Sequence, residues 1–326
     1  METLELVRLN LLSPVILAFA LGIVATLARS DLKFPEPLYT ALSIYLLLAI
    51  GLKGGAALSE TSPDELGGPA LATLALGLAI PLWSYAIVRR VGRMSVPDAA
   101  AIAAHYGSVS VVTFIAALSF LDAARVGYEG FLPTLVAVLE VPAIVVALLL
   151  ARLRGGAGRG SWRTVLHEVF AGRSVVLLLG GLAVGALSGT AGLARVSPFF
   201  VDPFQGALVL FLLEMGMVAA RRFRDLRTAG GFLLGFGIVM PLLHGTLGVW
   251  LGSLAGLSLG GSTVLGVMAA SASYIAAPAA VRIALPEANP GYYLTAALAI
   301  TFPFNLTVGI PVYFAVARWM HAGGGG

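Results

Sequence analysis

Long apolar runs, cut at intervals by short polar stretches, make up most of this chain. A helix needs about 20 mainly apolar residues to cross roughly 30 Å of hydrocarbon. Runs of that kind lie near 12–28, 36–56, 68–88, 98–121, 129–151, 173–189, 200–219, 229–256, 262–284 and 291–318. Breakers such as "KFPEP" (33–37), "ETSPDELGGP" (60–69) and "ALPEANPG" (284–291) separate them. The pattern predicts an all-α integral membrane protein with ten transmembrane helices. Ser95 is the expected N-cap of the fourth span, with Pro97 in its first turn, and Ser262 the expected N-cap of the ninth.

The ten spans divide into two sets of five. "GFLPTLVAVLEVP" (130–142) and "GYYLTAALAITFP" (291–303) share Gly130/Gly291, Thr134/Thr295 and Pro142/Pro303 at a constant offset of 161 residues. The chain therefore reads as a first repeat over 1–153, a short cytoplasmic linker over 154–172 and a second repeat over 173–326. An odd number of spans per repeat turns the second copy upside down, the inverted-repeat plan of many secondary transporters.

Two polar knots interrupt this apolar pattern: "AAHYGSVSVVTF" (103–114) and "AASASYIAAP" (269–278). From Asp98 to Ser108 and from Ser262 to Ala272 are ten residue steps each, about 15 Å of helix, or half the hydrocarbon thickness. With the spans entering from opposite faces, both knots are expected near the midplane. Gly107 and the pair Ser273–Tyr274, followed by Pro278, are the expected points where helices four and nine open. Opened backbone has to line protein or water, not lipid. The half-helices that follow, near 109–121 and 276–284, would aim their positive ends at the gap and favour a small anion. Carbonyls of the preceding half-helices would favour a cation such as Na+.

Composition narrows the classes. Hydrophobic residues make up 59% of the chain and charged residues 11%, against about 25% charged in a soluble domain. Fifteen of the 20 Lys and Arg fall on one set of alternate loops, while only Arg8, Lys53, Arg125, Arg195 and Arg318 fall on the other. By the positive-inside rule the first set is cytoplasmic and both termini lie on the non-cytoplasmic side. Short basic loops between apolar spans give no nucleic-acid surface. The absence of cysteine excludes disulfides and thiolate chemistry. There is no GxxxxGK[ST], Rossmann fingerprint or HExxH. "METLELVRLNLLSP" carries no removable signal, and the first apolar run reads as a retained helix; the terminal "GGGG" reads as a disordered end.

Among polar residues inside spans, Glu140 is the foremost candidate. An ionisable group at mid-span is costly and is a functional candidate by default, for a cation or a proton. Its repeat counterpart is Thr301; Asn305, just after Pro303, is a further cation candidate. Bland readings stand beside these. Serines and threonines in membrane helices also bond back to their own helix. His105 reads as a core histidine with a backbone partner. Glu214 and His244 read equally as packing contacts, and Tyr274 as a gate, a packing ring or a hydroxyl donor. The glycines of "IGLKGG" (50–55) read as close-packing devices.

"IGLKGG", "GSVSVVT" (107–113), "VGYEG" (126–130), "EVPA" (140–143), "PLLHG" (241–245) and "ASASYIAAPAAVRIALPEANP" (270–290) together resemble the sodium-dependent bicarbonate transporter family. The resemblance implies ten helices in two inverted five-helix repeats, helices four and nine broken, gate and core domains, and a homotrimer. It implies bicarbonate and Na+ near the breaks, with Gly107, Ser110 and Thr113 matching the first break motif and Ser271 and Ser273 the second. The chain departs from the cyanobacterial pattern: Tyr274 stands where that pattern has Asp, a hydroxyl is lost at Ala276, and Glu140 replaces another Asp. The resemblance also implies a PII-like regulator, against which the short linker counts.

The expected function is thus secondary active import of a small anion, foremost bicarbonate, coupled to Na+ by alternating access across a bacterial inner membrane. No cofactor is expected beyond Na+ as coupling ion, and no enzymatic activity. Gly107, Ser108, Val109, Ser110, Ser271, Ser273 and Tyr274 are the anion-side candidates; Thr113, Glu140, Thr301 and Asn305 are the cation-side ones. A Na+- or H+-coupled carrier of another small anion, a passive anion channel and a membrane sensor stay open as alternatives.

Overall fold

The computed structural model describes residues 3–155 and 162–323. Arg159, the middle of the linker and the last three residues of the glycine tail lie outside the described residues. The described chain folds into α1 (Thr3–Leu11), α2 (Pro14–Leu27), α3 (Glu36–Leu58), α4 (Pro63–Arg90), α5 (Val96–Gly107), α6 (Val111–Ala124) and α7 (Leu132–Leu153). It continues through α8 (Trp162–Phe170), α9 (Arg173–Phe200), α10 (Phe204–Arg222), α11 (Leu226–Leu254), α12 (Leu259–Ala270) and α13 (Ala276–Ala284) to a C-terminal helix, Pro290–Ala322. No strand occurs among the described residues.

Eight segments are long and apolar enough to cross a bilayer: α3, α4, α5 with α6, α7, α9, α10, most of α11 and the C-terminal helix. The apolar helices α2 and α12 are shorter. This is the architecture of a multi-pass membrane protein. α1 and α8 are additional short helices that the apolar pattern did not single out. The sixth span runs on to Phe200, through a non-helical Gly189 at φ 63°.

Helix starts follow local chemistry. Ser13, Ser62 and Ser95 each accept a hydrogen bond from the backbone N–H three residues on, and each has proline at the first or second helical position. The serine oxygen satisfies a donor the helix leaves open, and proline forfeits an N–H the first turn does not use. Ser95 thus caps as expected. Ser262 does not: Ser258 caps α12, accepting from Gly261 N–H, while Ser262 Oγ donates to Leu257 O. The Leu-Gly-Gly run after Ser258 is already helical, so the earlier serine takes the cap. The C-terminal helix is not regular; wider π-helical turns occupy Thr295–Thr301 and Asn305–Gly309, on either side of Pro303. Proline removes a hydrogen bond there, and the helix widens to accommodate it.

Packing repeats in the two halves. α2 packs on α10 and α3 on α9 through glycines that bring backbones together. A Cβ at Gly22 would meet the backbones of Leu213 and Met217; one at Gly185, 163 residues on, would meet those of Leu52 and Ala56, 161 residues before Leu213 and Met217. Gly55 lies likewise against Leu182 and Ala186, and Gly216 against Phe19 and Ile23. The glycines of "IGLKGG" are therefore close-packing positions. Helix starts are tied in the same paired way. Asp98 at the start of α5 accepts from Asn289 N–H at 2.8 Å, and Glu129 ahead of α7 accepts from Ser258 N–H at 2.6 Å at the start of α12.

Candidate functional site: the crossing of two broken helices

Between α5 and α6 the chain is extended: Ser108 at φ −93°, ψ 164° and Ser110 at φ −94°, ψ 108°. Between α12 and α13 it opens again from Ser271 at φ −80°, ψ 163°. Serine favours this because its oxygen competes with the helix ladder for nearby N–H groups. Ser110 Oγ accepts from Thr113 N–H at 3.2 Å and caps α6; Ser273 Oγ accepts from Ala277 N–H at 3.3 Å in α13. The openings are therefore Ser108–Ser110, just beyond the expected Gly107, and Ser271–Ile275, which contains the expected Ser273–Tyr274. Gly107 itself is still helical. A Cβ there would sit 2.8 Å from both Ala143 Cβ and Pro81 Cδ, so glycine allows the helix end to seat against α4 and α7.

The two openings touch. Ser273 N–H donates to His105 O and Ser110 N–H donates to Ser271 Oγ, both at 2.8 Å. The segments thus run past one another in opposite chain directions. Four helix ends converge: the C-termini of α5 and α12 and the N-termini of α6 and α13. An N-terminus carries roughly half a positive charge and a C-terminus roughly half a negative one. One small volume accordingly offers partial charge of both signs.

The anion-side candidates all lie at this crossing. Ser108, Ser110, Ser271 and Ser273 are buried, and Val109 between the first two packs into the apolar core. Ser108 Oγ donates to Glu140 O at 3.2 Å. Ser271 Oγ donates to Met268 O at 2.7 Å. Ser110 Oγ accepts a second bond, from Thr113 Oγ1 at 2.9 Å, and keeps its own proton for another acceptor. The Tyr274 hydroxyl is buried beside Ser110 without completing a hydrogen bond, and its ring meets Phe302 edge-on.

The cation-side candidates surround the crossing with separate partners, and no hydrogen bond among the described residues joins one to another. Thr113 belongs to the Ser110 cap. Glu140 Oε1 accepts from Ser174 Oγ at 3.1 Å, while its Oε2 has no hydrogen-bond partner. Thr301 Oγ1 donates to Gly237 O at 2.8 Å, so the 2.6 Å contact with Tyr106 has the phenol as donor. Asn305 Nδ2 donates to Ala270 O, the last carbonyl of α12, and Asn305 Oδ1 accepts from Tyr313. Asn305 thus holds the end of the broken helix in place.

His105 has the backbone partner expected of it: Nδ1 donates to Ala101 O at 2.7 Å, and its ring stacks near Tyr293. Glu214 lies 3.8 Å from Arg221. His244 Nε2 accepts from Trp83 Nε1 at 2.7 Å, across 161 residues of chain, the same separation as Ser110 and Ser271. The sequence reading passed over Trp83, Ser174 and Tyr313. The repeat offset points directly from His244 to Trp83; Ser174 and Tyr313 carry no comparable signal.

Hydroxyls, one carboxylate with an open oxygen, and helix ends of both signs suit a small anion beside a hard monovalent cation. No curated protein matches this sequence. A sequence profile does, over residues 14–318, nearly the whole chain and both openings included. By that match the chain belongs to the Na+-dependent bicarbonate transporter superfamily.

Proposed function

We propose that this protein is a secondary active transporter that imports bicarbonate with Na+ by alternating access. The observation that carries the proposal is the crossing itself, where the openings of α5/α6 and α12/α13 meet through Ser110–Ser271 and Ser273–His105. The anion lies at the N-termini of α6 and α13, with the Ser110 hydroxyl and free backbone N–H groups donating. Na+ lies toward the carbonyl ends of α5 and α12 and the open oxygen of Glu140. Moving either charge alone into a low-dielectric interior is expensive, and moving them as a neutral pair removes much of that penalty. Coupling follows from that difference.

Ten crossings in two inverted repeats support the alternation, with α2 and α12–α13 counted as the two crossings shorter than the rest. Three features favour inversion: the repeated glycine seams, the 161-residue pairs, and the paired ties at helix starts. The starts of α5 and of the C-terminal helix share one face, and those of α7 and α12 share another. The gate comprises α2, α3, α9 and α10, and the core comprises the rest of the spans. The protein resides as a homotrimer in a bacterial inner membrane, with both termini on the non-cytoplasmic side.

The test is uptake of labelled bicarbonate into proteoliposomes under an inward Na+ gradient. Uptake should fall to the background of empty vesicles when choline replaces Na+. Equal uptake in choline would remove the coupling, and saturable uptake of a different anion with none of bicarbonate would remove the substrate.

A further inference from the structure

Lys53 is one of only two lysines in the chain and stands inside a membrane span, eighteenth of the 23 residues of α3. Its neighbours are fixed by contact. Gly51 lies against Gly181 and Gly54 against Pro133, so α3 has no freedom to turn Lys53 elsewhere. Its Nζ lies 5.6 Å over the Phe204 ring, and among the described residues Lys53 has no ion pair or hydrogen bond. Asp122 lines the same cavity as Lys53 without pairing with it; its Oδ1 accepts from the Tyr128 hydroxyl at 3.0 Å. A lysine inside a span ordinarily extends to the headgroups or takes a carboxylate partner. This one takes no carboxylate partner among the described residues and lies over a ring instead.

It lines a cavity of about 110 Å3 between α3 and α10 on one side and α6 and the start of α7 on the other. Ser119 and Gln205 add polar groups and bond to each other at 3.1 Å across that seam. Ile115, one turn from the Ser110 cap, also lines the cavity. The cavity therefore flanks the half-helix whose N-terminus faces the crossing. Its volume holds an oxyanion of four heavy atoms with a water or two, each water occupying about 30 Å3 of liquid volume.

We propose that Lys53 and this cavity form a capture site for small planar oxyanions, through which the anion passes on its way to the crossing. The inference rests on the proposed transport and places the cavity on its non-cytoplasmic side. A positive charge in a low-dielectric recess raises the local concentration of small anions. It binds substrate and transition state alike, so its removal raises KM and leaves kcat alone.

The test uses the full-length protein in proteoliposomes. Lys53→Met keeps the length and removes the charge; Lys53→Arg restores it. Lys53→Met should raise KM for bicarbonate about tenfold, with kcat within about twofold, and Lys53→Arg should recover most of the loss. A second readout does not depend on transport. An amine-reactive label is followed by mass spectrometry at Lys53, with Lys33 as internal control. Bicarbonate should slow labelling at Lys53 and not at Lys33, and gluconate, too large for the cavity, should slow neither. Unchanged KM in Lys53→Met, or labelling of Lys53 indifferent to bicarbonate, overturns the capture site. If wild-type protein fails to carry bicarbonate and yet bicarbonate protects Lys53, the capture site stands and the transport reading falls.

Discussion

Ser271→Ala probes the joint between the two openings. Ser271 Oγ accepts from Ser110 N–H at 2.8 Å and donates to Met268 O at 2.7 Å. The Met268 carbonyl keeps a second donor, Ser271 N–H at 3.2 Å, so its loss is small. Ser110 N–H keeps nothing. It belongs to a residue only 3% exposed, with no solvent to replace the lost acceptor. A stranded buried donor costs about 1–3 kcal/mol. Near the middle of that range, and with the unfolding entropy of a chain this long, the melting midpoint of the detergent-purified protein should fall about 3 °C. Ser271→Thr retains the oxygen and should melt near the parent. The same pair should separate in transport, Ser271→Ala losing affinity for bicarbonate and Ser271→Thr keeping most of it. A Ser271→Ala protein melting within about 1 °C of the parent would mean that the joint contributes nothing.

Three other outcomes are expected. Glu140→Gln keeps an oxygen for Ser174 and removes the charge; the Na+ concentration for half-maximal uptake should rise about tenfold, equivalent to about 1.4 kcal/mol, with the protein still folded by size-exclusion chromatography. Trp83→Phe leaves His244 Nε2 without its donor and should cost about 1–3 kcal/mol; the double variant with His244→Phe should cost less than the two single changes combined, read as melting midpoints. Gly216→Ala sets a methyl against the Phe19 carbonyl, and about 1–3 kcal/mol of overpacking should appear as lower yield and a lower melting midpoint, whereas Gly206→Ala, with open space around it, should be neutral.

What the sequence made legible was whatever short-range chemistry controls. Serine with proline just after it marked the start of α5, because cap and first turn lie within three residues of each other; the same signal at Ser62–Pro63, read as a breaker, starts α4. The openings were visible as serine clusters in an apolar background, and the offset of 161 ran through both. The start of α12 was misplaced, because Ser258 and Ser262 both precede small residues and only the finished helix decides between them. Side-chain partners were harder still. Asn305 was singled out by its position after Pro303, but its partners, Ala270 and Tyr313, depend on how three helices pack. Ser174 bonds Glu140 from another span, and nothing near either residue in the chain announces the pairing.

The glycine seams of α2 with α10 and α3 with α9 have a mechanical meaning. Where one main chain rests directly on another there is no cushion of rotatable side chains, and even a slight axial slide drives a Cα into a carbonyl. Those four helices are consequently locked as a chassis. Any travel the molecule undergoes must be taken up along softer boundaries, such as the one bridged by Ser119 and Gln205 or the one closed by Glu140 and Ser174. The side-chain bonds seen there can break and re-form without disturbing a helix.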